Sequence, residues 1–317
     1  MRRVRYRPGL ALSVCLLGAW LLGAWLLAAA AAEVSPAAGQ ATTQAPAAPP
    51  APLPLTLPNK PDSLKFGVMG DFGTGKREQY QLGEQMARVR AQFPFTLMLT
   101  VGDNLYGGNG PKDFLNKFEK PYKALLDGGV KFYASLGNHD SRQQSNYEPF
   151  NMGGRTYYTF KAPKQSVRFF ALESPYLDPQ QLQWAERELD NSRDDWKIPY
   201  FHHPLYSSGG RHGSDLPKRK ALEPMFIKHG VSVVFAGHDH VYERVKPQHG
   251  IVHFVVGSSG QLRKGNLDKD TGFTDYANAT EQAFLAVEID GDEMYFNAVS
   301  RTGKVIDAGV IARPKRE

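Results

Sequence analysis

The stretch Leu97-Met98-Leu99-Thr100-Val101-Gly102-Asp103-Asn104-Leu105-Tyr106 is a largely apolar run that stops at a glycine and hands over to an acid, an amide and a phenol. The same build recurs along the chain. Run 66–69 ends in Gly70-Asp71-Phe72-Gly73, run 131–136 in Gly137-Asn138-His139-Asp140, and run 231–236 in Gly237-His238-Asp239-His240. Stretch 198–201 ends in His202-His203-Pro204. Short apolar runs bounded by turn residues read as buried strands, and open α/β sheets place their sites at the carboxyl ends of such strands. A Gly-Asp or Gly-His pair alone is an ordinary turn or a helix N-cap. Five polar ends, each closing a strand, bring carboxylates, an amide and imidazoles to one crevice.

The polar residues so delivered are Asp71, Asp103, Tyr106, Asn138, His202, His238 and His240. They combine hard oxygen with imidazole nitrogen and include no cysteine, which excludes a cysteine-type zinc site and an iron–sulfur cluster. Seven ligands exceed one tetrahedral ion and suit two ions sharing a carboxylate. Such pairs lie about 3.5–4 Å apart and clamp both oxygens of an in-line phosphoryl displacement. A phenolate ligand favours a hard, strongly Lewis-acidic ion, and ferric iron is the natural candidate. Tyr106 follows Asp103 by three residues, so both reach one ion. His238 and His240 stand two apart and, in an extended tip, serve different ions.

The full order of motifs, Gly-Asp-x-Gly, Gly-Asp-x-x-Tyr, Gly-Asn-His-Asp, His-x-Pro and Gly-His-x-His, resembles the purple acid phosphatases of the calcineurin-like metallophosphoesterase superfamily. The resemblance runs over residues 65–260. Most other branches carry Asp-x-His in the first motif and lack the tyrosine, so Gly73 and Tyr106 point to the purple branch. The resemblance implies a four-layer α/β/β/α sandwich with a dinuclear metal site at the strand carboxyl ends, in the small, tartrate-resistant form. It implies a ferric ion on Asp71, Asp103, Tyr106 and His240. Asp103 would bridge to a divalent ion (iron, zinc or manganese) on Asn138, His202 and His238. By the same resemblance His139 contacts phosphate and helps protonate the leaving group. His212, in Ser207-Ser208-Gly209-Gly210-Arg211-His212-Gly213, is implied as a second acid/base histidine, and His203 as a neighbour that does not ligate. The implied activity is phosphomonoester hydrolysis, that of an acid phosphatase. Two other readings share the same ligands: a phosphodiesterase or nucleotide hydrolase, and a metal-binding protein without hydrolytic activity.

Around the motifs, strand and helix patterns alternate, which places the chain in the α/β class. Helices are expected over 76–92, 112–126, 179–191 and 217–229, with Pro179 and Pro217 in first turns. Further strands are expected over 167–173, 251–256, 284–289 and 294–300, the last two forming a hairpin at Asp290-Gly291-Asp292. The 317 residues carry a formal net charge of +6, but Arg2, Arg3, Arg5 and Arg7 supply much of it. The mild charge balance and the absence of aromatic–basic interleaving argue against nucleic acid as the main partner, and the resemblance implies small phosphorylated substrates. The cluster Lys218-Arg219-Lys220 reads as a solvated helix face. Arg263 and Lys264 read either as solvated surface or as groups that steer an anion.

The arginine-rich start and the uncharged, Leu/Ala/Trp-rich run 9–32 read as a targeting segment. The run exceeds the roughly 7–15 residues of a signal core, yet Ala30-Ala31-Ala32 offers a cleavage site. It also meets the roughly 20 residues of a membrane-spanning helix. Signal peptide and membrane anchor both stay open for residues 1–32, and either places the rest outside the cytoplasm, periplasmic or secreted. Residues 33–60 are Ala/Pro-rich and read as a flexible linker, with the catalytic domain over 61–317. Cys15 is the only cysteine. The domain is therefore expected to rest on its core and its metals rather than on disulfides.

Overall fold

The computed structural model describes residues 53–194 and 196–313. The run 1–32, expected as a targeting segment, and residues 33–52 of the expected linker lie outside the described residues. In chain order the first elements are β1 (Leu64–Met69), α1 (Arg77–Gln92), β2 (Leu97–Val101), α2 (Pro111–Phe114), α3 (Lys123–Asp127) and β3 (Lys131–Ser135). Next come β4 (Tyr158–Lys161), β5 (Val167–Ala171), α4 (Pro179–Asn191), β6 (Trp196–Tyr200), α5 (Leu216–Lys228) and β7 (Val233–Ala236). β8 (Tyr242–Val245), β9 (Val252–Val256), β10 (Thr274–Asn278), β11 (Ala283–Asp290), β12 (Glu293–Ser300) and β13 (Val305–Ala312) complete the order.

The strands form two sheets, ordered β13-β12-β11-β1-β2-β3 and β10-β8-β9-β7-β6-β5-β4. In the first sheet β1, β2 and β3 run parallel, and in the second β5, β6, β7 and β9 do. Parallel strands are covered on both faces, which is why β2, β7 and β9 are buried along their whole length. The sheets meet face to face: the Phe66 ring lies edge-on to Phe169 at 5.2 Å and to Phe235 at 6.2 Å. The residues beside those partners, Phe170 and Val234, alternate to the opposite face of the second sheet. There they join Ala185 and Leu189 of α4 and Leu222 and Phe226 of α5 in a separate core. Helix α1 buries Leu82, Met86 and Val89 at helical spacing in the main core. The layering is α/β/β/α, as the sequence led us to expect, and β11 and β12 form the expected hairpin.

Three features differ from the sequence reading. The helix expected over 112–126 is broken into α2, one π-turn at Leu115–Glu119 and α3. Pro121 is the cause: it has no N–H to offer the Lys117 carbonyl. Gln79 Nε2 of α1 donates to that carbonyl instead, at 2.5 Å. Strands β4, β8, β10 and β13 also went unread. In β8 and β13 a buried polar contact masks the apolar alternation, because Arg244 and the Tyr242 hydroxyl both donate to Asp307 (2.9 Å each). Finally, residues 53–60, the end of the expected linker, are held against the domain. Leu53, Leu55 and Leu57 pack on the main core at strand-like spacing.

The anchor of that segment is Glu288, a fully buried residue. Its carboxylate accepts from the N–H groups of Asn59 (2.6 Å) and Lys60 (2.7 Å) and from Ser63 Oγ (2.6 Å). Hydrogen bonds to a charged group contribute roughly 1.5–3 kcal/mol and their loss leaves the donors unpaired. Glu288→Ala is expected to lower the unfolding free energy in urea by about 3 kcal/mol and to open residues 53–60 to proteolysis. An unchanged midpoint and digestion pattern would show that this carboxylate does not hold the segment.

Candidate metal centre

The strand ends reach one another at backbone distance. A Cβ on Gly102 would lie 2.7 Å from His202 Nδ1 and 2.7 Å from the Gly137 nitrogen, so no other residue fits there. Beyond the glycines the chain turns sharply. Asp71, Asp103 and His238 take left-handed backbone, with φ of 55°, 50° and 72°. Non-glycine residues in that region cost on the order of 1–3 kcal/mol each and gather at functional sites. Short hydrogen bonds hold them. The Asp71 N–H donates to the Gly102 carbonyl (3.0 Å), the His238 N–H to Asp71 Oδ2 (2.9 Å) and the His139 N–H to Asp103 Oδ1 (2.9 Å).

All seven sequence-predicted ligands come together. Ligand atoms of Asp71, Asp103 and His240 lie within 4.8 Å of one another, and the three residues are buried. The Tyr106 hydroxyl joins them, 3.2 Å from Asp71 Oδ1 and 3.3 Å from His240 Nε2. Around the other side of Asp103 stand His202 (Nε2 to Asp103 Oδ1, 3.4 Å), Asn138 and His238. Asp103 thus belongs to two groups of donors. The oxygen ligands follow β1, β2 and β3 of the first sheet, while the imidazoles follow β6 and β7 of the second.

The lone pairs in this space fit cations. The Val101 carbonyl lies 2.9 Å from His202 Nδ1 and accepts from it, which aims Nε2 into the site. There Nε2 stands 3.0 Å from Asn138 Oδ1, 3.4 Å from Asp103 Oδ1 and 3.1 Å from His238 Nδ1. A carboxylate, an amide oxygen and two imidazoles gathered in this way suit a cation between them. Burial, reinforced by the Asp103 charge, holds the Asp71 carboxyl well above the usual range. Burial followed by the Asp71 charge raises the Tyr106 phenol far above its ordinary value. Burial, with Arg263 next in weight, lowers His240 to about 4, and burial plus neighbouring imidazoles lowers His238 further. These imidazoles are neutral, as metal ligands must be. A resident cation inverts the cost of the two buried acids and of the phenolate.

On the rim, His139 is exposed, with its ring centroid 4.9 Å from that of Tyr106. His212 is exposed and lies over His238 at 4.2 Å. Arg263 donates through Nη1 to His212 Nε2 (3.3 Å), and its backbone N–H donates to the His240 carbonyl (3.0 Å). His203 packs its ring 4.4 Å from that of His238 and sets Nδ1 3.0 Å from Ser174 Oγ, and burial lowers it to about 3.

The family model for calcineurin-like phosphoesterases matches residues 64–242. This chain belongs to that family. Human tartrate-resistant acid phosphatase type 5 is 23% identical over 308 residues, covering 79% of this chain and 92% of the relative. Among solved structures, GAP50, the anchor in the inner membrane complex of Plasmodium, superposes with a TM-score of 0.69 at 19% identity, over 80% of this chain and 90% of that one. The purple acid phosphatase PPD1 from yellow lupin (Lupinus luteus) seeds gives 0.66 at 18%, over 81% of this chain and 55% of its own. At those identities the structural likeness is one of fold. The motifs that close the strands are those of a phosphoesterase, and the donors fit a metal centre.

Sequence reasoning missed the residues that hold the phosphoesterase's ligands in place. Asp140 accepts from the N–H groups of Gly137 (2.8 Å), Asn104 (3.0 Å) and Leu105 (3.0 Å) and from Asn104 Nδ2 (3.0 Å). It ties the loop after β2 to the loop after β3. Burial and the Asp103 charge raise it to about 7 against the pull of those donors. Asp239, fully buried between the two ligand histidines, accepts from Ser207 Oγ (2.7 Å) and the Gly213 N–H (3.1 Å), which anchors the His212 loop. Both acids stand inside motifs already quoted, and the only sequence signal was that position. Asp140→Ala is expected to leave three backbone donors unpaired and to weaken metal binding about 10–100-fold, the scale of an outer-shell loss. Metal content after dialysis against a buffered chelator measures it, and wild-type retention would assign Asp140 no part in holding the ligands.

Proposed function

We propose that this phosphoesterase is an acid phosphatase that hydrolyses phosphate monoesters of small molecules at a ferric–divalent metal pair. The observation that carries the reading is the convergence of His202 Nε2 on Asn138 Oδ1 and Asp103 Oδ1, with the Tyr106 phenol against Asp71 and His240. Asp71, Asp103, Tyr106 and His240 would hold the ferric ion, and Asn138, His202 and His238 the divalent one, iron, zinc or manganese, with Asp103 shared. When bound, such ions supply Lewis acidity, lowering the pKa of water and stabilising charge on phosphoryl oxygens. The chain's own groups do the rest. His139, fixed through its N–H to Asp103, turns an exposed imidazole toward the opening and delivers a proton to the leaving oxygen. His212, braced by Arg263, faces the same opening from the His238 side and binds phosphoryl oxygen or shares that proton. A histidine that acts as an acid must carry its proton, which favours activity below neutrality.

The purified full chain loaded with iron is expected to be coloured and to turn over 4-nitrophenyl phosphate faster than the bis-ester. Tyr106→Phe is expected to lose the visible band, because a phenolate-to-iron transition needs the phenol oxygen. Colourless iron-loaded protein, or a coloured variant, removes Tyr106 from the ligands. A faster bis-ester makes the protein a diesterase.

We further propose that the folded region works outside the cytoplasm, on the strength of the arginine-rich start and the apolar run 9–32. Fractionation with N-terminal sequencing is expected to find it in an extracytoplasmic fraction, starting near Glu33 if cleaved and at Met1 in membranes if anchored. Activity confined to the cytosol would defeat export.

A further inference from the structure

The candidate metal ligands follow the carboxyl ends of β1, β2 and β3, and the opposite ends of these strands begin at Leu64, Leu97 and Lys131. Two cavities lie at those starts, of about 290 and about 400 Å³, and both are lined by Thr96 and Pro163. The shared residues join them into one groove. It runs from between Tyr133 of β3 and Phe160 of β4, the outer strands of the two sheets, to Ser63, Leu64 and Lys65 at the start of β1. The length of the strands separates this groove from the metal ligands.

Its charge has one sign. Lys131 and Lys161 line the first cavity and Lys65 and Lys164 the second, while no aspartate or glutamate lines either. Ordinary surfaces intersperse both signs, and a concave run of one sign focuses its field on an incoming partner. Of the four ammonium groups only that of Lys161 meets a carboxylate, Asp194 Oδ1 at 3.1 Å. Lys65 and Lys164 donate to the carbonyls of Lys60 (2.5 Å) and Pro61 (2.6 Å), which holds their charges in place without neutralising them. The exposed Lys131 side chain has no partner among the described residues. Beside it the half-buried rings of Tyr133 and Phe160 stack at 3.9 Å and 13°, and the Tyr133 hydroxyl has no hydrogen-bond partner among the described residues.

We propose that this groove docks an extended acidic segment of a partner protein, with carboxylates on the lysines and an aromatic side chain against Tyr133 and Phe160. Charges spread over two joined cavities suit a chain of anionic groups rather than a single phosphate. A chain of phosphates would leave the ring pair unmatched. A bilayer presents a broad surface to groups that project from a protein, whereas these rings and the 3%-exposed Leu97 line a concavity that an extended chain can enter. A partner held here leaves the metal-binding crevice open at the far end of the sheets, so the groove is a place of attachment and not a substrate subsite.

Fluorescence anisotropy of a labelled peptide of repeated Glu-Glu-Phe, titrated with the full chain at low salt, tests this. Saturable binding is expected, and it should weaken as added salt screens the charges. Lys131→Glu combined with Lys164→Glu sets like charges against the peptide and is expected to weaken binding at least about 10-fold, with the urea midpoint unchanged. Arg211→Glu combined with Lys264→Glu makes the same change of net charge in loops at the metal end, on two exposed residues, and is expected to keep the wild-type affinity. A Glu-Glu-Ser peptide of equal length is expected to bind about 10-fold more weakly, because no ring is buried in the groove. The proposal is overturned by absence of saturable binding, by an unchanged affinity in the groove variant, or by an equal loss in the metal-end variant. Equal affinity for the serine peptide overturns it too, since general charge attraction would then suffice. Phosphatidylglycerol vesicles that sediment the wild type but not the groove variant, with no binding of the peptide, would assign the groove to a membrane surface instead.

Discussion

His202 Nε2, Asn138 Oδ1 and the Asp103 carboxylate converge because the Val101 carbonyl holds Nδ1 on the far side of the His202 ring. Much of the centre depends on that convergence. The glycines before the ligands let the strand ends approach, and the left-handed turns at Asp71, Asp103 and His238 aim the side chains inward. Without a cation those choices are unfavourable: carboxylates buried side by side and strained backbone. With a cation they are a preorganised ligand set. The local conflicts with folding rules therefore mark where function overrides stability.

A second ring of polar contacts keeps the ligands from relaxing away from one another. Asp140 gathers the backbone of two loops through several donors, and Asp239 fastens the glycine-rich loop that carries His212 to the strap between His238 and His240. The same logic reaches the helical layer. The Lys117 carbonyl that Pro121 leaves without a partner is taken by Gln79, so α1 stays registered to the broken segment behind the loop of Tyr106. The polar interior carries information about position, which apolar packing alone does not supply.

What could be read in the sequence follows from how each element is stabilised. β1, β2 and β7 are apolar runs with a glycine stop, buried on both faces or nearly so, and β3 shares the stop at the sheet edge; periodicity with punctuation finds such strands. α4 was legible to the residue, since Asp178 caps it and Pro179 opens it. β8 and β13 were illegible because Tyr242, Arg244 and Asp307 satisfy one another across the gap between sheets, a pairing that no local pattern encodes. The docking of residues 53–60 was present as the alternation of Leu53, Leu55 and Leu57 but was hidden by Pro54 between them and by Pro52 and Pro58 on either side. At the site, residue types and spacing identified the groups that converge. The supports could not be assigned, because Asp140 and Asp239 act through the donors their neighbours present, and those are fixed only by the fold.

The division of ligands between the sheets gives the metal centre a mechanical role beside its chemical one. Oxygen ligands come from the loops after β1, β2 and β3, and nitrogen ligands from the loops after β6 and β7. Each donor group around Asp103 draws on both sheets, so an ion in either position would join them at the end where their loops diverge. Elsewhere the sheets are joined by apolar contact such as Phe66 against Phe169 and by the Arg244–Asp307 fork. No disulfide can do this, since the sole cysteine is Cys15. A ligand that binds only the folded state stabilises it by RT ln(1 + [L]/Kd), about 4 kcal/mol at a thousandfold excess over Kd. That is comparable to the summed strain of the left-handed ligand residues, at about 1–3 kcal/mol each. The ions that would activate the substrate thus also offset the cost of building the place where they bind, and the fold and the chemistry share one set of side chains.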